Sequence, residues 1–114
     1  AAVPVLLEQQ KGSIVNVGAF GAREGQSLMG AYCASKSVVM RLTETLAQEL
    51  KAKGINVNAV LPTVIDTVAN RSAMPENNPA DWVSPDDLAA VICFLISPAA
   101  KAVHGALLPV RGLS

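Results

Sequence analysis

The sequence predicts an α/β fold built on a parallel sheet. Three observations carry this expectation. Residues 13–17 and 55–61 are short apolar runs of strand type, the first rich in β-branched residues. Residues 32–53 between them have helical periodicity. Strand, long helix, strand is a βαβ unit, which implies parallel strands joined by a right-handed crossover.

The elements follow in order. Residues 1–10 are apolar, then polar, and read as the end of a helix already under way, with Gly12 after Lys11 as its stop. The strand at 13–17 closes at Gly18, and residues 20–30 carry Gly21, Gly25 and Gly30 and read as loop. In the long helix Val38, Leu42, Leu46 and Leu50 recur every four residues, widened by Val39 and Ala47, with Arg41, Glu44, Gln48 and Lys51 on another face. Lys51 and Lys53 suit its C-terminal dipole, and Gly54 is the expected stop. The second strand puts Ile55, Val57, Ala59 and Leu61 on one side. Residues 62–83 lack clear periodicity, and a loop of that length in a compact domain reads as a lid or binding loop. Ser84 caps a further helix, Pro85 fits its first turn, and Asp86 and Asp87 face the positive end of its dipole. Leu88, Val91, Ile92 and Leu95 form the apolar face of that helix, Ser97-Pro98 ends it, and residues 105–110 give a last short strand.

Composition narrows the function. Nine basic and nine acidic residues balance, which argues against nucleic-acid binding. No apolar run approaches the roughly 20 residues that cross a bilayer. No basic segment followed by an apolar block opens the chain, and two cysteines, Cys33 and Cys93, make no disulfide framework. A cytoplasmic setting is therefore expected. Metal-ligand spacings such as CxxC or HxxxH are missing, so no metal site is expected.

Tyr32 and Lys36 are the sharpest pair. At i and i+4 they share one helix face. Tyrosine is a weak acid, and a neighbouring ammonium together with a helix N-terminus favours its phenolate, making it a usable proton donor or acceptor. The spacing alone is common, but a buried strand with Asn16 and a glycine-rich loop precede the pair, and a strand ending in Pro62 follows it. With Gly12-Ser13-Ile14-Val15-Asn16-Val17, Tyr32-Cys33-Ala34-Ser35-Lys36 and the run from Ile55 to Pro62 (INVNAVLP), the chain resembles the short-chain dehydrogenase/reductase family. Gly105-Ala106-Leu107-Leu108 resembles the family's last strand.

The resemblance covers essentially the whole chain and implies a Rossmann-like, doubly wound parallel sheet, of which this is the C-terminal, catalytic half. The N-terminal half would hold the dinucleotide loop, the ribose-reading acid and the catalytic asparagine. At 114 residues the chain is about half of the ~250 expected for such a domain. The resemblance further implies NAD or NADP as cofactor and hydride transfer to or from a small-molecule substrate, with Tyr32 transferring the proton. Lys36 would bind the nicotinamide ribose. Pro62 and Thr63 would lie beside the nicotinamide, where the family has Pro-Gly. Ile65 would meet the carboxamide with its backbone, and Thr67 the carboxamide or diphosphate with its hydroxyl. The helix from Tyr32 is the one that pairs subunits in the family, so a homodimer or homotetramer is expected.

The main departure is Ala19, which stands thirteen residues before Tyr32, where the family has its catalytic serine. Alanine there, the lid at 66–75, Trp82, and Met29-Gly30-Ala31-Tyr32 are similar to the quinonoid dihydropteridine reductase branch. Its substrate ring needs no donor to a carbonyl under reduction; otherwise another hydroxyl, such as Ser27, would have to substitute for the serine. The alternative is a non-catalytic family member, or a truncated segment inactive alone and serving only as a structural or interaction module. Phe20, Met74 and Trp82 are candidate substrate-pocket residues, with local packing as the other reading of each. Arg71 is read as a lid anchor, through a carboxylate or a backbone oxygen, and Arg23 as the same or as solvated. Cys33 and Cys93 read as packing residues, His104 as a surface or strand-edge residue, and Gly18, Gly21 and Gly25 as a turn-rich loop beside the site.

Overall fold

The computed structural model describes residues 1–114. Three parallel strands, β1 (Gly12–Val17), β2 (Ile55–Pro62) and β3 (Leu107–Val110), form one sheet in the order β1-β2-β3. Gly12 to Val17 pair with Ile55 to Val60, and Ala59 to Pro62 pair with Leu107 to Val110. Helices α1 (Ala2–Gln9), α2 (Gly30–Leu50), α3 (Val68–Ala73) and α4 (Pro85–Leu95) complete the chain.

The central strand explains the layering. Alternate residues of a strand point to opposite faces. Ile55, Val57 and Leu61 pack against Met40, Ala47 and Leu50 of α2 on one face. Val60 points the other way, to Leu88 and Leu95 of α4. Helices on both faces make this a doubly wound α/β sheet.

Asn56 and Asn58 share the α4 face of β2 and serve the connection into β3. Asn58 is fully buried; its amide donates to the Val103 carbonyl (2.9 Å) and its side-chain oxygen accepts from the Ala106 N–H (2.8 Å). The Asn56 amide donates to the carbonyls of Val103, Ala100 and Lys101. On β1, Asn16 donates to Thr43 Oγ1 (3.0 Å), which donates to the Val39 carbonyl (2.8 Å). This pins the middle of α2 to the sheet.

Four expectations change. The buried stripe of α2 is Cys33, Met40, Thr43, Ala47 and Leu50, whereas Val38 and Leu42 are exposed. Steps of four residues advance about 40° beyond a full turn each, so a strict four-residue run winds off the buried face. The left-handed residue ending α1 is Gln10 (φ 57°), and Gly12 instead opens β1. Cys93 is exposed because the buried face of α4 runs through Leu88 and Leu95. The segment 62–83 contains α3 and a 3-10 turn, Pro79–Asp81, and Ile65 forms a parallel bridge with Val83. Gly54 ends the α2 crossover as expected (φ 77°); a Cβ there would also sit 2.5 Å from the Gln10 carbonyl oxygen.

Asn58→Ala leaves the partly buried Ala106 N–H without its acceptor and removes two hydrogen bonds, and is expected to cost about 2–3 kcal/mol in urea denaturation. Asn56→Ala, at a partly exposed residue, should cost less. Equal small losses would show that the two amides do not hold the β3 connection.

Candidate active site

In doubly wound sheets ligands bind beyond the carboxyl ends of the strands. Here a cleft of about 640 Å³ opens at that end of β1 and β2. Its walls include Val17, Gly18, Ala19 and Phe20 after β1, Tyr32 and Lys36 from α2, Pro62 to Ile65 after β2, and Asn70 and Met74 from the lid.

Each wall has a local cause. At Gly18 the chain passes over β2, and a Cβ would come within 2.6 Å of Leu61 Cδ2. Ala19 is buried with Ala22, Cys33, Met40 and Leu61. A 3-10 turn, Phe20–Arg23, follows and is tied to α2 by the Ser37 hydroxyl, which donates to the Ala22 carbonyl (3.0 Å). Since α2 begins at this end, its first turns present Tyr32 and Lys36 to the cleft. Lys36 Nζ donates to the Val17 carbonyl, the last of β1 (3.2 Å). Tyr32 is 46% exposed, and its hydroxyl is free of partners within the chain.

Thr63 lines the floor, but its hydroxyl turns to the segment after β3, donating to the Arg111 carbonyl (3.0 Å) and pairing with the Ser114 hydroxyl. The Ile65 carbonyl accepts from the Asn70 amide (2.8 Å), while its N–H has no partner in the chain. Thr67 caps α3, its oxygen accepting the Asn70 N–H (3.1 Å), and lies outside the cleft lining. Phe20 and Met74 line the cleft. Trp82 does not: it is buried, 7% exposed, where the segment after β3 crosses residues 81 and 82. Met29, Gln26, Val64 and Asn70 line the cleft without having been singled out from sequence. Only the lid position of Asn70 hinted at its part.

The cleft has 15 lining residues. Its unpartnered Tyr32 hydroxyl, the Lys36 ammonium and the open Ile65 N–H are donors suited to a ribose and a carboxamide. The donor set therefore fits a nicotinamide nucleotide.

Residues 1–112 match a family model described as enoyl-(acyl carrier protein) reductase. The chain belongs to the short-chain dehydrogenase/reductase family. A curated relative in this family, 2-(S)-hydroxypropyl-CoM dehydrogenase 3 of Xanthobacter autotrophicus, is 32% identical over 126 residues, covering 98% of this chain and 49% of the relative. A solved structure from Agrobacterium tumefaciens, assigned as a 2-deoxy-D-gluconate 3-dehydrogenase with bound NADP, aligns with a TM-score of 0.84 at 38% identity over 94% of this chain and 48% of that one. A 4-hydroxyisoleucine dehydrogenase complexed with NADH gives 0.81 at 32% identity, over 96% and 49%. The chain spans about half the length of the curated relatives it matches.

One ion pair joins the two ends of the segment Asp66 to Arg71. Arg71 Nε and Nη2 donate to the two oxygens of Asp66 (2.6 and 2.7 Å). These hydrogen bonds, opposed in part by burial and reinforced by the guanidinium charge, hold the Asp66 carboxyl below its ordinary range. Depression of a carboxyl in the folded state means the tie is complete above the ordinary aspartate value and is lost as pH falls through the depressed one. Amide chemical shifts of α3 are therefore expected to stay constant from neutral pH down to that range and to move only below it. Asp66→Asn should give the shifted spectrum already at neutral pH. Identical α3 shifts in the variant would mean the pair does not hold the lid.

Proposed function

We propose that this chain is the catalytic and substrate-binding part of an NAD- or NADP-dependent oxidoreductase. The observation that carries the reading is the meeting of Tyr32 and Lys36, one helical turn apart, with Pro62, Thr63 and Ile65 in a single cleft. Lys36, Pro62, Thr63 and the Ile65 N–H hold the nicotinamide end of the cofactor, and the Thr67 hydroxyl, still free to donate, faces the carboxamide or diphosphate. The cofactor supplies or accepts the hydride. Tyr32 gives the substrate oxygen or nitrogen its proton, or takes it in the reverse direction. Phe20 and Met74 enclose the substrate.

Ala19 supports a second reading of the substrate. With no serine to hold a carbonyl oxygen, and with a lid like that of the dihydropteridine reductase branch, a quinonoid dihydropterin would be reduced without that contact. A family member without catalytic activity is the rival that Tyr32 tests. In the oxidoreductase reading two or four copies pair through the outward side of α2, where Val38 and Leu42 are 57% and 53% exposed. The free thiols of Cys33 and Cys93 suit a reducing cytoplasm.

In the full-length protein Tyr32→Phe should lower NAD(P)H-dependent turnover about 100-fold or more while leaving nucleotide binding in place. Unchanged turnover would exclude Tyr32 as the proton donor. Ala19→Ser should raise reduction of simple ketones at least about tenfold if the missing hydroxyl limits them. A ketone reductase unaffected by that change, or failure to reduce quinonoid dihydropterin, would remove the pterin reading.

A further inference from the structure

Ile65 stands where the lid begins, with two backbone groups turned the same way. The Val64 carbonyl accepts the Val83 N–H (2.9 Å), and the Asp66 N–H donates to the Val83 carbonyl (2.8 Å). These bonds make the parallel bridge between Ile65 and Val83. In a parallel pairing the residue between two such bonds turns its own N–H and C=O away from the partner. The Ile65 N–H and carbonyl therefore form one edge, a donor beside an acceptor. That edge meets Asn70, and Ile65 and Asn70 both line the cleft.

Within the chain this edge has a single partner. The side-chain amide of Asn70 donates to the Ile65 carbonyl (2.8 Å), while the Ile65 N–H is open. A carbonyl oxygen has two lone pairs, so one is left for a second donor. The peptide joining Ile65 to Asp66 is thus bonded on both sides, to Val83 through its N–H and to Asn70 through its carbonyl, which fixes its plane. Without Asn70 it would hang from the Val83 carbonyl alone. Asn70 is half-buried, and its own backbone is tied to both ends of α3. Its N–H donates to Thr67 Oγ1 at the cap (3.1 Å), and its carbonyl accepts the Met74 N–H where the helix stops (2.9 Å). One side chain therefore fastens the lid helix to the Ile65 edge.

A primary carboxamide carries an acceptor beside an NH2 donor, the complement of an N–H beside a C=O. We propose that Asn70 is a positioning residue: its amide sets the Ile65 carbonyl so that the N–H and carbonyl of Ile65 together read the carboxamide of the nicotinamide. The lid is thereby coupled to the orientation of the cofactor ring. The proposal rests on the oxidoreductase reading and adds to it the residue that sets this contact.

Calorimetric titration of the full-length protein compares NADH, or NADPH if that is the form bound, with its reduced 3-acetylpyridine analogue. The methyl ketone of the analogue keeps the acceptor for the Ile65 N–H and lacks the NH2 for the Ile65 carbonyl. The wild type should bind the natural nucleotide about five- to tenfold more tightly, the effect of one hydrogen bond. Asn70→Ala and Asn70→Leu should each weaken the natural nucleotide by about that factor, leave the analogue within about twofold, and so abolish the preference. Asn70→Leu keeps the side-chain volume, which separates the hydrogen bond from packing, and it decides if Asn70→Ala does not fold. Equal weakening of both nucleotides would assign Asn70 to the general build of the lid and overturn the proposal. A preference that grows in the variants would mean that Asn70 competes with the carboxamide, and overturns it too, as does a wild type with no preference. A wild type that binds neither nucleotide rejects the oxidoreductase reading along with this one. Nucleotide binding and Tyr32-dependent turnover, with the preference unchanged in both variants, reject the role of Asn70 alone.

Discussion

Two parallel strands cannot be joined by a tight turn, so the chain leaving β1 must travel back the length of the sheet before β2 can start. In this molecule α2 makes that journey. Its first residues are therefore fixed at the end of the sheet where β1 and β2 both stop, and its last residues at the opposite end. Tyr32 and Lys36 lie in its first two turns, and the Lys36 ammonium reaches the carbonyl that closes β1. Placement of this tyrosine–lysine pair over the strand ends is thus a consequence of the crossover. The Asn16–Thr43 bond keeps the helix from sliding along it.

The other side of the cleft depends on buried polar ties. Asn56 and Asn58 anchor the connection that brings β3 alongside β2, and β3 delivers Arg111 to Phe20. Thr63, where the family has glycine, is part of the same system: its hydroxyl holds the Arg111 carbonyl. The substitution thus links the floor of the cleft to the segment after β3. The lid depends on a local pair, Asp66 with Arg71, and on the Ile65–Val83 bridge.

Much of this was legible in the sequence where one signal dominated. The β-branched run at 14–17, the alternation of Ile55, Val57, Ala59 and Leu61, and the Ser84-Pro85 helix start each point to one local structure. The YxxxK pair with its flanking strands was readable because βαβ geometry leaves the helix start only one place to go. The misreadings arose where several solutions compete. Helix α2 has two apolar sides, and the four-residue repeat selects Val38 and Leu42, whereas burial follows the alternating three- and four-residue steps through Met40, Thr43 and Ala47. Trp82 was read by residue type and Cys93 by its place beside the apolar face of α4, and neither signal tells core from cleft or surface. Long-range contacts left no local trace. Arg23 follows Phe20 by one 3-10 turn and could have been paired with it, but nothing near Arg111 announces that it crosses to the same ring.

In the proposed reading Ala19 stands where the family has its serine while Tyr32 and Lys36 remain, so the site would keep its means of moving a proton and change its means of holding the substrate. The central claim is that the crossover places Tyr32 and Lys36 on the nicotinamide. A crystal structure of the full-length protein with NADPH, or with NADH if that binds, tests it most directly. Lys36 is predicted to hydrogen-bond the nicotinamide ribose, with the Tyr32 hydroxyl facing the reactive edge of the ring. A nicotinamide seated away from both residues would contradict it.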